Sequence, residues 1–129
     1  MRKWKGIVIH HSASPDVPAT EIDRWHKERG WDGIGYHFVV RKNGGIEPGR
    51  GLDIMGAHAK DRNRTHIGIF VTGDYSKDSI MAALDQVWSV NYLVRGLKQR
   101  FDIPKDKIEP HHRHCPGENF PFYLLIRDP

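Results

Sequence analysis

Two short apolar runs, Ile7-Val8-Ile9 and Ile67-Gly68-Ile69-Phe70-Val71, carry no alternation of polar and apolar residues. A strand with one wet face alternates, so such runs read as strands buried on both faces. Strands of that kind need cover on each side of their sheet. From Ser79 to Phe101 comes the longest helix signal: Ile80, Leu84, Val87, Val94, Leu97 and Phe101 make one stripe about six turns long. The segment "EIDRWHKERG" reads as a second helix, with Thr20 as N-cap, Asp23 as capping-box partner and Gly30 as the stop. Ile22, Trp25 and His26 share its inner face. Between these segments, 36–41 reads as a strand, Lys42-Asn43-Gly44-Gly45 as a turn and the residues near Ile46 as a returning strand. "IEP" at 108–110 is a last short strand, and the residues after it give a turn and a C-terminal helix. The expected fold is α/β, a mixed central β-sheet flanked by helices.

Composition sets the frame. At 129 residues the chain, 1–129, is a single domain with room for a real core. With 38% hydrophobic and 28% charged residues it belongs with folded proteins rather than disordered ones. No apolar stretch approaches the roughly 18 residues of a membrane span. The basic start "MRKWKG" precedes an apolar run too short for a signal peptide. Synthesis in the cytoplasm is therefore expected, with any outside target reached after release. The net charge of +4 favours an acidic partner, of which a bacterial wall polymer is one. No motif supports nucleic acid, and none is expected as a partner. The chain is expected to act as a monomer.

Nine histidines and a lone cysteine carry the chemical signal. Cys115 has no partner for an intrachain disulfide, and zinc sites needing two or four cysteines are excluded within one chain. His10 and His11 close the first strand, where alternation sends them to opposite faces. His10 and His111 both fall at strand ends, where sites in such sheets form. Together with Cys115 they supply three nitrogen and sulfur ligands, leaving a fourth tetrahedral position, the arrangement of catalytic rather than structural zinc. Zinc lowers the pKa of a bound water to about 7 and polarises a carbonyl, as amide hydrolysis requires. Tyr36 and His37 lie next to each other on a strand, and a tyrosine hydroxyl can donate to a developing oxyanion.

The stretches "IVIHHSAS", "WHKERGWDGIGYHFVVRKNGGIEPGR", "GAHA", "THIGIFVTGDYS" and "HHRHCPGENFPF" occur in the order and spacing of the type 2 N-acetylmuramoyl-L-alanine amidases. That family includes phage lysozymes of the amidase kind and the peptidoglycan-recognition proteins, and the resemblance covers about Ile7 to Phe122. It implies zinc held by His10, His111 and Cys115, with His112 the rival to His111, and a catalytic Tyr36. His58 in "GAHA" and His37 are the candidate substrate contacts, although packing or hydrogen bonding is the ordinary role for His26, His37 and His66. The implied activity is hydrolysis of the amide between N-acetylmuramic acid and the L-alanine of the stem peptide, in a phage or prophage endolysin acting on peptidoglycan.

The chain departs from that pattern near the cysteine. Only three residues separate His111 from Cys115, where the phage lysozymes have a longer loop. They also carry a lysine there, whereas here Arg113 is the nearest cation and His114 is adjacent. Arginine keeps its charge, so Arg113 could stabilise negative charge but not shuttle a proton; His114 is the alternative if a donor is needed. The cytosolic recycling amidases use an Asp ligand and a Glu after "IGI", positions held here by Cys115 and Phe70. Two other readings differ in class: a recognition module that binds peptidoglycan without cutting it, and an amidase with Cys115 as nucleophile. Arg62, Asn63 and Arg64 read as a solvated loop that could touch glycan or peptide.

Overall fold

In the computed structural model, which describes residues 3–11, 15–75, 77, 84–112, 115–116 and 120–121, the two apolar runs lie side by side at the centre of one sheet. They are β1 (Gly6–His11) and β4 (His66–Val71), paired in parallel. All six residues of β4 and the first five of β1 are buried, as strands covered on both faces must be. On one side β2 (Phe38–Val40) runs parallel to β4 and antiparallel to β3 (Ile46–Pro48). On the other, β5 (Ile108–Pro110) runs parallel to β1, completing the order β3-β2-β4-β1-β5. The expected mixed sheet is present, with β2 shorter than the 36–41 span read from the sequence.

Alternation divides the core into two layers. Ile7 and Ile9 of β1, with Ile67, Ile69 and Val71 of β4, pack with Val87, Val90, Val94 and Leu97 of α2 (Leu84–Phe101). Phe70 and Val39 face the other way, against Ile22 of α1 (Ala19–Glu28). The stripe along α2 needs one correction. Leu84 is 51% exposed, and its expected place in the core is taken by Val90 and by a buried polar residue, Gln86. Ser79 and Ile80 lie outside the described residues, as does the expected C-terminal helix.

The start of α1 is also not where the local signal puts it. Thr20 is already helical; Pro18 is the N-cap residue and makes no side-chain capping bond. The Ala19 N–H instead donates to the Glu47 carboxylate of β3 at 2.8 Å. A carboxylate brought by the hairpin satisfies the helix end and suits its positive dipole, so no local hydroxyl is needed. Asp23, expected in a capping box, accepts the Ile34 N–H at 2.8 Å and pairs with Lys27. Gly30 does stop the helix, at φ +88°, donating to Lys27 O.

Two polar clusters tie these layers together. The Gln86 amide donates to Val40 O at 2.7 Å and Thr72 O at 2.9 Å, and its oxygen accepts from the Tyr75 hydroxyl at 2.6 Å. Asp16 accepts from the Arg41 guanidinium, the Thr72 hydroxyl and the Lys42 N–H, joining the approach to α1 to the hairpin and the end of β4. Burial raises the Asp16 carboxyl, but these hydrogen bonds outweigh it and hold the group down at about 2.

Gln86→Leu removes partners from buried carbonyls and a buried hydroxyl, so unfolding in urea should show a loss of about 2–4 kcal/mol. An unchanged midpoint would mean those bonds contribute nothing net. For Asp16 the folded value lies below the unfolded one, so its stabilisation is present above about pH 4 and disappears as pH falls from there through about 2. Melting temperatures should therefore show wild type losing ground to Asp16→Asn across that window. Parallel pH profiles would remove Asp16 from the account.

Candidate active site

His10 occupies the last-but-one position of β1, opposite Phe70 in the parallel register. It is 2% exposed and turns to the α1 side of the sheet, while His11 turns to the α2 side, as alternation requires. His11 Nδ1 accepts the Tyr75 N–H at 3.3 Å and lies 3.9 Å from Asp74. The two histidines therefore have separate surroundings.

Pairing of β5 with β1 brings the second histidine to the first. Pro110 lies across from Ile9, and the His111 N–H extends that ladder by donating to Ile9 O at 3.1 Å. The rings of His10 and His111 are consequently 4.5 Å apart between centroids. Reciprocal backbone bonds then join His112 to Cys115. That pairing sets the cysteine under the end of β1, where Sγ accepts the His11 N–H at 3.4 Å. The ligand atoms of His10, His111 and Cys115 all lie within 4.8 Å of one another. His112, the rival ligand, does not join that group and its side chain is exposed. Arg113 and His114 lie outside the described residues.

Donor chemistry decides whether these residues suit zinc. Two imidazoles and a thiol are a known zinc set, and tetrahedral zinc places such atoms about 3.3–3.8 Å apart. Closing from 4.8 Å needs at most about 1.5 Å of movement. Burial holds the His10 imidazole well below its usual pKa, and His58, His111, Arg62 and His112 nearby add to this. His111 is depressed by burial too, then by His112 and Arg62. Both are thus neutral, the form that ligates. Burial pushes the Cys115 thiol up, with the His11 N–H partly offsetting it; a cation would reverse that preference. The residues fit the ion.

Tyr36 borders this group. Its ring meets His10 edge-on at 5.0 Å and lies 4.3 Å from Phe70. Burial and then the negative charge of a Cys115 thiolate push the phenol pKa well up, so the hydroxyl keeps its proton. That hydroxyl has no hydrogen-bond partner among the described residues. His26 supports the tyrosine from below: its Nδ1 accepts the Gly35 N–H at 2.9 Å and its ring lies 5.6 Å from that of Tyr36.

The two expected substrate contacts have other partners. His37 is 1% exposed, with Nδ1 accepting the Gly68 N–H and Nε2 donating to Ile54 O. Both nitrogens are committed within the core, so His37 has no edge left for a substrate. His58 bonds His10 at 3.0 Å and His66 O at 3.0 Å, and burial depresses its pKa to about 3. It backs a candidate ligand, and it is partly exposed. The loop read as solvated also reaches inward. Arg62 donates to Glu109 at 2.9 Å, to Pro110 O at 3.2 Å and to His111 O at 2.7 Å. Asn63 Oδ1 accepts the N–H groups of His58 and Ala59. A polar loop looks the same in sequence whether its groups meet water or carbonyls, so neither role was readable there.

The sequence pattern described as N-acetylmuramoyl-L-alanine amidase matches residues 1–118. The endolysin of Enterobacteria phage K11 is 36% identical over 114 residues, which is 84% of this chain and 74% of that protein. The endolysin of Escherichia phage T7 is 43% identical over 70 residues, 52% of this chain and 46% of its own length. Among solved structures, the N-acetylmuramoyl-L-alanine amidase LysC from Clostridium intestinale superposes with a TM-score of 0.88 at 34% identity, covering 96% of this chain and 83% of that one. With its mixed sheet and its cluster at the end of β1, the chain belongs to the N-acetylmuramoyl-L-alanine amidase family.

Proposed function

We propose that the chain is the zinc-dependent catalytic domain of a phage or prophage endolysin. It hydrolyses the amide joining N-acetylmuramic acid to the L-alanine of the peptidoglycan stem peptide, acting on the cell wall after release. The observation that carries this reading is the convergence of His10, His111 and Cys115 beside the ring of Tyr36, whose hydroxyl has no hydrogen-bond partner among the described residues. His10, His111 and Cys115 would hold the ion. When bound, zinc supplies Lewis acidity at the scissile carbonyl and makes water nucleophilic near neutral pH.

The chain's own groups do the rest. Tyr36 offers a hydrogen bond to the carbonyl oxygen as negative charge develops there, and its burial favours the protonated phenol that can donate it. His10 and His111 stay neutral and available as ligands because their surroundings disfavour protonation. The His11 N–H steadies the sulfur of Cys115. Arg113 stands as the proposed second stabiliser of transition-state charge, with His114 as the alternative.

Purified protein should contain close to one zinc per chain by elemental analysis, and Cys115→Ala should lose the metal along with stem-peptide release from purified wall. Full zinc and full activity in that variant would sink the ligand assignment. Activity that survives chelation but not Cys115→Ala would point to a cysteine nucleophile. Wall binding without release of stem peptide would point to a recognition module.

Tyr36→Phe keeps the ring and removes only the hydroxyl. Turnover should fall about a hundred- to a thousand-fold, the usual cost of one lost oxyanion donor. Zinc content and affinity for a wall fragment should hardly change, because the contact strengthens only in the transition state. Wild-type turnover would reduce Tyr36 to a packing residue.

A further inference from the structure

We propose that His58 is a positioning residue that fixes the tautomer of His10, so that His10 presents Nδ1, and not Nε2, to the metal. The inference rests on the zinc reading of the site.

The argument begins at a carbonyl. His66 O can only accept a hydrogen bond, and it lies 3.0 Å from His58 Nε2. That nitrogen must therefore carry the proton. A neutral imidazole has one N–H and one lone pair, so His58 Nδ1 is an acceptor. Its partner at 3.0 Å is His10 Nε2, which must then be the donor. The remaining lone pair on His10 is on Nδ1. One backbone oxygen of β4 thus sets, through two rings, which nitrogen of β1's histidine is free to bind a cation.

The fold holds this chain in place from several sides. The His58 N–H donates to Asn63 Oδ1 at 2.7 Å, which pins its backbone. Its ring lies against two glycines. A Cβ on Gly68 would come within 2.6 Å of the ring, and one on Gly56 within 2.4 Å. Gly68 is the one residue of β4 without a side chain, at the position where the ring crosses the strand. Side chains at either glycine would collide with the ring, so both positions leave the space that an imidazole at 58 occupies. Partners of this kind orient a ligating histidine, and their removal costs about 10- to 100-fold in metal affinity.

The test uses two readouts. Long-range proton–nitrogen NMR on zinc-free wild-type protein should show His10 and His58 both protonated at Nε2. Zinc affinity is then measured by competition with a chromophoric chelator for wild type, His58→Leu and His58→Asn. His58→Leu keeps the bulk near the backbone and removes both polar atoms, and its affinity should fall about 10- to 100-fold. His58→Asn places an oxygen where Nδ1 stood and should recover most of that loss. His10 protonated at Nδ1 in the wild-type protein would overturn the relay. So would wild-type zinc affinity in a folded His58→Leu, or an Asn variant as weak as the Leu one. If His58→Leu fails to fold, the wild-type NMR result still decides. A wild-type chain that binds no zinc overturns the metal reading by itself, separately from the tautomer.

Discussion

The parallel pairing of β1 with β4 fixes the position of every group in the site. Both strands are buried on both faces, so their register cannot slip without moving whole sets of side chains between two differently shaped layers. A shift of one residue would send His10 into the α2 layer and bring His11 to the site. The same strand also receives β5, and the extra bond from the His111 N–H to Ile9 O carries that order one residue past the ladder. Hydrophobic burial thus determines which two imidazoles meet, although neither contributes much to it.

A single loop then adjusts what the sheet has brought together. Residues between Gly56 and Thr65 send His58 to His10 and Arg62 to the carbonyls of Pro110 and His111. Asn63 closes the loop on itself by accepting from His58 and Ala59. Two candidate ligands, one in β1 and one just past β5, are therefore held from one segment. Arg62 is anchored by Glu109, and His66 approaches that carboxylate at 3.0 Å, so the loop is tied to β5 as well as to β4. A substitution here would disturb the spacing of His10 and His111 without touching either.

How much of this could be read beforehand follows from the range of the interactions. The buried strands, the hairpin and the helix stop at Gly30 are local patterns, and they were legible. So was the divergence of His10 and His11, because alternation is a property of one strand. The trio of His10, His111 and Cys115 was legible from ligand chemistry and from motif order, not from periodicity. What escaped were contacts between segments. Glu47 caps α1 from another element, Gln86 interrupts an apolar stripe because two strand-end carbonyls need a donor, and His58 bonds to His10 from a loop far off in sequence. Gly68 held a hint: a glycine inside a buried strand marks a place where something comes close.

Electrostatics joins these placements to the proposed chemistry. The site resists charge of its own: burial depresses His10, His58 and His111 and raises Cys115. A cluster of neutral lone pairs beside such a thiol suits a dication, whose charge would offset the penalty on the thiolate beyond what the His11 N–H does. Burial acts on Tyr36 as well, and it is the larger cause of the phenol's raised pKa. A phenol in that position cannot serve as a base near neutral pH. Protonated, it can donate, and the oxygen that gains charge during amide hydrolysis is the acceptor such a donor suits.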